Sequence, residues 1–217
     1  MDIEKNGQPL LNGIAIMVGT IIGAGIFGIP YVVYQAGFLS GALLLAVIAI
    51  AVTLIHLYIG EIVLSTEKIH QLTGYAEKYL GKTGKYLMFG SVLLGFYGAL
   101  LAYVIGEGQA LAALFGGSPV VFSLLFFAMA SFLVYRGMAL VKRAEFFMTL
   151  IIFLIVFVIV FLGAPHLNWD YLQEFSWLKI LIPYGVIFFA ISGASAVPQL
   201  REVLPEQGKG IKQAIIW

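Results

Sequence analysis

The sequence predicts an all-α integral membrane protein: six transmembrane helices and the start of a seventh, with the first and sixth discontinuous. Three observations predict it. Hydrophobic residues make up 61% of the 217 and charged residues 11%, against about 45–50% and 25% in soluble domains; mean hydropathy is +1.01. The apolar residues gather into runs of membrane-crossing length at residues 10–35, 39–64, 86–115, 119–135, 145–163 and 179–200, and another opens at 211–217. Two of these runs, the first and the sixth, are interrupted by glycine and other small residues followed by a proline.

Residues 1–9 are polar (Asp2, Glu4, Lys5, Asn6, Gln8) and form a tail ahead of the first run. That run is too long and glycine-rich for a signal peptide and has no A-x-A-like site, so it is expected to be retained. Gly19, Gly23, Gly25, Gly28 and Pro30 are poor material for a continuous helix. In hydrocarbon a freed N–H or C=O costs several kcal/mol unless something satisfies it. Broken backbone at that depth therefore belongs where protein covers it or where it lines a wet cavity. A break near residues 23–28, serving as a binding site, is the expectation. Gly23-x-Gly25-x-x-Gly28 also matches a dinucleotide fingerprint, but that motif needs a strand before it and an acid roughly 20 residues on. Residues 40–54 hold no acid, and the nucleotide reading is set aside.

The second run carries His56, expected to be a packed, hydrogen-bonded histidine. It also carries Glu61, near its inner end and suited to a gate or to pairing with a basic neighbour. Residues 71–87, with Tyr75 and Tyr79, fit either a short helix on the membrane interface or a solvated linker. In the third run Tyr97 and Tyr103 are candidates for lining a pocket, or else packed tyrosines. Glu107 lies about 10 Å from the outer end by helical rise. An ionised acid facing lipid there costs about 2.5–3.5 kcal/mol, so Glu107 is expected to face protein or a cavity. Its role is either proton coupling or amine binding, or a structural hydrogen bond. Trp169, Tyr171, Phe175 and Trp177 in the loop at 164–177 fit interfacial anchors or, alternatively, an occluding cover.

Charge sorts the connections. Every Lys and Arg except Lys179 falls on one side of the six-span arrangement. The positive-inside rule then places the N-terminus in the cytoplasm of a multi-pass cell-membrane protein. Gly193 precedes Pro198 by five positions, as Gly25 precedes Pro30. The two interruptions are five runs apart, so their helices are expected to cross in opposite directions. Matched interrupted segments in two halves are the mark of an inverted-repeat transporter with its site between the breaks.

Other classes find little support. Net charge is +1, with no basic stripe and interleaved aromatics for nucleic acid. The chain has no cysteine, and His56, His70 and His166 are too dispersed to form a metal cluster. No cofactor or resident metal is expected. An intramembrane enzyme built on His56, Glu61 or Glu107 lacks a Ser–Lys, His–His or paired-aspartate partner. A channel or assembly subunit is the remaining alternative, and would show flux without competition among substrates.

Ile22-Gly23-Ala24-Gly25-Ile26-Phe27-Gly28-Ile29-Pro30 resembles the first helix of the amino acid/polyamine/organocation superfamily, which has the leucine-transporter fold. Tyr58-x-x-Glu61, Gly74-Tyr75-Ala76-Glu77-Lys78-Tyr79-Leu80-Gly81 and Phe188-Phe189-Ala190-Ile191-Ser192-Gly193 look most like its hydroxy and aromatic amino acid permease branches. The resemblance implies an N-terminal half, with a first repeat of five helices over 10–163, and helix six with the start of helix seven over 179–217. It implies a secondary active transporter of a neutral or aromatic amino acid, coupled to H+ or Na+, or of a polyamine or other organic cation on the same scaffold. The half-length chain alone is not expected to transport. By position, backbone N–H groups of Ala24, Gly25 and Ile26 would hold a substrate carboxylate, and carbonyls of Ile21, Phe189 and Ser192 the ammonium. Phe27, Tyr103, Glu107, Gly193 and Ser195 complete the candidate lining. Phe189 matches a gating position, or is simply packed or lipid-facing, while Glu61 and Glu107 remain gating or coupling candidates. Some members carry a lysine inside the fifth helix; residues 146–162 here hold none.

Overall fold

The structure, a computed structural model, describes residues 4–21, 25–204 and 208–216, with side chains outside 4–8, 25–27, 138–149, 166 and 208–209. Every element among the described residues is helical. The first apolar run is carried by α1 (Glu4–Ile21) and α2 (Gly25–Ala36), and residues 22–24, on which the predicted break falls, lie outside the described residues. α3 (Phe38–Ser65) and α4 (Leu72–Phe115) are long and apolar enough to cross a membrane. Shorter apolar stretches occupy Pro9–Ile21, Pro119–Tyr135 and Leu150–Gly163.

The chain divides into two compact units, Met1–Gly90 with Trp169–Trp217, and Ser91–Asn168. In the first, α3 is the mast. Its buried side chains Leu44, Ile48, Val52, His56, Gly60 and Val63 recur every three or four residues, which puts them on one helical stripe. The outer part of the stripe meets Ile187 of α8 (Tyr184–Ala190), with Ile29 of α2 packed alongside. Below it lies a second core. Met17 of α1, Val197 and Leu200 of α9 (Val197–Val203), and Ile211 and Ala214 of α10 (Gly208–Ile216) pack there against partly buried Leu57 and Leu64 of α3. His56 sits on the stripe between the two clusters.

Three further contacts tie residues 174–201 to this mast. At its start, Leu39 N–H donates to the Glu174 carbonyl at 3.1 Å, and Ser176 N–H donates to Ser40 Oγ at 2.7 Å. Gly37 is needed there twice over. Its φ of +87° suits glycine, and a Cβ would stand 2.8 Å from the Glu174 carbonyl oxygen. At its end, the Arg201 guanidinium donates to the carbonyls of Val63 and Thr66, and to that of Glu67 at 3.3 Å. Those groups belong to a helix C-terminus, where carbonyls lack intrahelical partners.

The sixth apolar run does not begin as a helix at 179. Residues 177–183 form successive tight turns, with Lys179 N–H bonded to the Ser176 carbonyl and Ile182 N–H to that of Lys179. The backbone ties at 174–176 hold this stretch to α3, and Pro183 then leads into α8. α4 has an elbow at Gly81 (φ +71°, ψ −167°), so the interface segment and the third run form one element bent at a glycine. Across that elbow Lys85 Nζ lies 2.7 Å from Glu77 Oε2. Beside it Tyr79 Oη pairs with Thr66 Oγ1 at 2.9 Å, and the His70 ring meets Tyr75 edge-on.

The second unit holds the later part of α4, α5 (Pro119–Tyr135), α6 (Met138–Gly163) and a short 3-10 turn (Ala164–His166). Ser123 Oγ donates to the Val104 carbonyl at 2.9 Å and joins α4 to α5, next to Gly108, where α5 leaves no room for a side chain. α5 has no buried residue, and the described part of α6 is largely exposed. The residues of both are nearly all apolar, as lipid contact requires.

Candidate functional site

The two interrupted segments meet. α8 ends at Ala190, α9 begins at Val197, and residues 191–196 between them leave the helical path. Within this break Ser192 N–H reaches the Phe189 carbonyl at 3.4 Å, and Ala196 N–H reaches the Gly193 carbonyl at 3.0 Å. Gly193 is buried, and its N–H donates to His56 Nε2 at 3.2 Å. A methyl group placed on Gly193 would stand 2.9 Å from Ile21 Cγ1 and 3.6 Å from His56 Cε1. Ile21 is the last residue of α1. The end of α1, the turn at Gly193 and the imidazole of α3 therefore share one small space.

The approach continues to either side in a fixed order. Gly13 lies against Leu204, Ile21 against Gly193, and Gly28 against Val186, whose Cγ1 would be 2.8 Å from a Cβ on the glycine. Position numbers rise along one segment as they fall along the other, so the two run antiparallel with Ile21 level with Gly193. Electrostatics follow from the helix ends. α8 ends at Ala190 with a partial negative charge on its last carbonyls, while α9 starts at Val197 with a partial positive charge on its first N–H groups. Such ends can take an ammonium and a carboxylate respectively.

The other candidate residues fall as follows. Ala24 lies outside the described residues; Gly25, Ile26 and Phe27 open α2, with Ile26 and Phe27 side chains outside the described set. Ser192 and Phe189 are exposed on the break and on α8, and Ser195 is half-buried. The Phe189 carbonyl already accepts from Ser192 N–H. Glu61 is exposed on α3, two residues before Val63, the first carbonyl of the Arg201 tie. Tyr97, Tyr103 and Glu107 belong to the second unit, where Tyr103 is half-buried and the other two are exposed. No group of three His, Asp or Glu side chains comes together among the described residues. His56 is a packed, hydrogen-bonded histidine, as the sequence predicts. Its partner, 137 positions away, has no local signal.

An all-helical chain with two helices long and apolar enough to cross a membrane fits the class of integral membrane proteins. The chain belongs to the tryptophan/tyrosine permease family, whose family model matches residues 6–217. It is similar to the tyrosine-specific transport system 1 of Haemophilus influenzae, with 28% identity over 211 residues, covering 93% of this chain and 51% of that protein. It is also similar to glutamine transporter 2 of Aliivibrio fischeri, with 24% identity over 199 residues, covering 88% and 51% respectively. The chain thus spans about half the length of the curated relatives it matches. No solved structure matches it. Family and relatives are transporters, so the chain is not an enzyme.

Proposed function

We propose that this chain is the N-terminal half of a secondary active amino acid permease, working by alternating access around the interrupted first and sixth segments. The observation that carries the reading is the level, antiparallel meeting of those segments at Ile21 and Gly193. A zwitterion needs an anion site and a cation site a few ångströms apart, and two broken helices at one depth offer both kinds of end. The carboxylate goes to the N–H groups of Ala24, Gly25 and Ile26, and the ammonium to the carbonyls of Ile21, Phe189 and Ser192. Phe27, Gly193 and Ser195 line the remainder. The relatives' named cargoes, tyrosine and glutamine, share just that ammonium and carboxylate, which supports recognition centred on the zwitterion.

The reading includes a leucine-transporter-type inverted repeat of six spans and the start of a seventh, a cytoplasmic tail at 1–9, helices one to five at 10–163, and a second repeat opening at 179–217. Sorted basic residues support the cytoplasmic N-terminus. Phe189 serves as a gate, while Glu61 and Glu107 serve gating or coupling to H+ or Na+, with Tyr103 beside Glu107 on α4. Proteoliposome uptake by the full-length protein, screened across the amino acids with and without Na+ and a pH gradient, tests this. Saturable uptake of a neutral or aromatic amino acid, competed by its analogues, is expected. Flux that no amino acid saturates or competes overturns the reading.

A further inference from the structure

We infer that His56 is the positioning residue of the sixth segment's break, holding Gly193 N–H through an unprotonated Nε2 and releasing it when that nitrogen takes up a proton. The inference rests on the break being the substrate site only for its link to transport; the latch itself rests on geometry. A regular helix would send the Gly193 amide to the carbonyl of Phe189, four residues back. Ser192 N–H occupies that carbonyl instead, and the Gly193 amide turns to the ring of α3 at 3.2 Å. Both partners are buried, so no water replaces the bond if it is lost. Gly193 admits no side chain that could shift the turn, because Ile21 closes the space above it.

Accepting this hydrogen bond requires a lone pair on Nε2, so the neutral ring carries its proton on Nδ1. Protonation at Nε2 points a donor at a donor and undoes the contact. Among the described residues no carboxylate faces the ring to compensate. α1 has no titratable group from Pro9 to Ile21, and residues 191–196 have none. Tyr31 and Tyr34 of α2 and Tyr184 of α8 are exposed, as are Glu202 of α9 and Lys212 of α10. Arg201 is engaged with α3 carbonyls, and Tyr58 and Glu61 on α3 itself are exposed. The ring therefore has two states with different consequences for the hinge: bound and neutral, or free and charged.

Amide hydrogen exchange over 191–196, read by mass spectrometry on the full chain in lipid nanodiscs, tests the latch. His56→Leu removes the acceptor and is expected to speed exchange there by at least about tenfold. His56→Gln offers a non-titrating carbonyl and is expected to exchange near the wild-type rate. As pH falls, the wild type, corrected for intrinsic exchange, should show a protonation step that His56→Gln lacks. Unchanged exchange in His56→Leu overturns the latch. Should that variant not fold, the 15N resonances of the wild-type ring decide: a proton on Nδ1 alone supports the latch, and one on Nε2 overturns it. Faster exchange in His56→Leu with amino acid uptake intact supports the latch and sinks the reading of the break as the substrate site.

Discussion

At the scale of single residues, two glycines eight positions apart, 185 and 193, make opposite predictions. Gly193 has Ile21 Cγ1 where its Cβ would go, so Gly193→Ala overpacks a buried contact and should cost about 1–3 kcal/mol. Gly185, near the start of α8, has nothing within 4 Å of that position. Gly185→Ala should be neutral or gain up to about 1 kcal/mol from the smaller backbone entropy of alanine. Thermal melting of the two variants in detergent separates them; equal shifts would contradict the packing described here. Arg201 is the other residue with a large expected effect. Its fork satisfies carbonyls of Val63, Thr66 and Glu67 together, so Arg201→Met should lose about 1–3 kcal/mol. Arg201→Lys should recover only part of this, because an ammonium lacks the planar fork. Of these contacts the sequence announces the glycines but not their neighbours. Gly193 is visible as an interruption, while Ile21, His56 and Val63 become its surroundings, or those of Arg201, only through folding.

At the scale of elements, the elbow in α4 carries a pH signature. Glu77 lies before Gly81 and Lys85 after it, eight positions apart, too far to touch along a straight helix of 1.5 Å rise. The bend brings them together, and the hydrogen bond and charge of Glu77 hold the Lys85 ammonium above the usual lysine range. A raised pKa means the folded form grips its proton more tightly. The contribution is therefore complete below about pH 10.4 and is lost as pH rises through the higher folded value. A 15Nζ titration should show Lys85 returning to ordinary behaviour in Glu77→Gln, and an unchanged titration would mean the elbow does not close. The helices themselves were largely legible in the sequence, because length and hydropathy are local properties. α3 and α5 fall close to the predicted limits. The elbow at Gly81 and the turns at 177–183 were not legible. The first joins two predicted segments into one element, and the second replaces the opening of a predicted helix. In both cases a contact distant in sequence decides, Thr66 with Tyr79 in one and Ser40 with Ser176 in the other.

At the scale of the molecule, the antiparallel register of the first and sixth segments can be read out chemically. These 217 residues hold no cysteine, so pairs introduced among them have no competing thiol within this stretch. A disulfide needs Cβ atoms about 3.8 Å apart. A Cβ on Gly28 would stand 2.8 Å from Val186 Cγ1, and one on Gly13 3.0 Å from Leu204 Cδ1, so the two positions of each pair lie within side-chain reach of each other. Oxidation of the full chain in membranes should therefore close Gly28→Cys with Val186→Cys, and Gly13→Cys with Leu204→Cys. The exchanged pairs, Gly28→Cys with Leu204→Cys and Gly13→Cys with Val186→Cys, should stay open. Parallel segments would reverse this pattern, and segments that do not touch would leave all four open. The closed pairs lie on opposite sides of the breaks, so each bolts one half of the hinge and leaves Gly193 untouched. If the breaks are where an amino acid sits between halves that move, either bolt should stop uptake and reduction should restore it. A bolted protein that still transports would require the moving parts to lie elsewhere in the full-length chain.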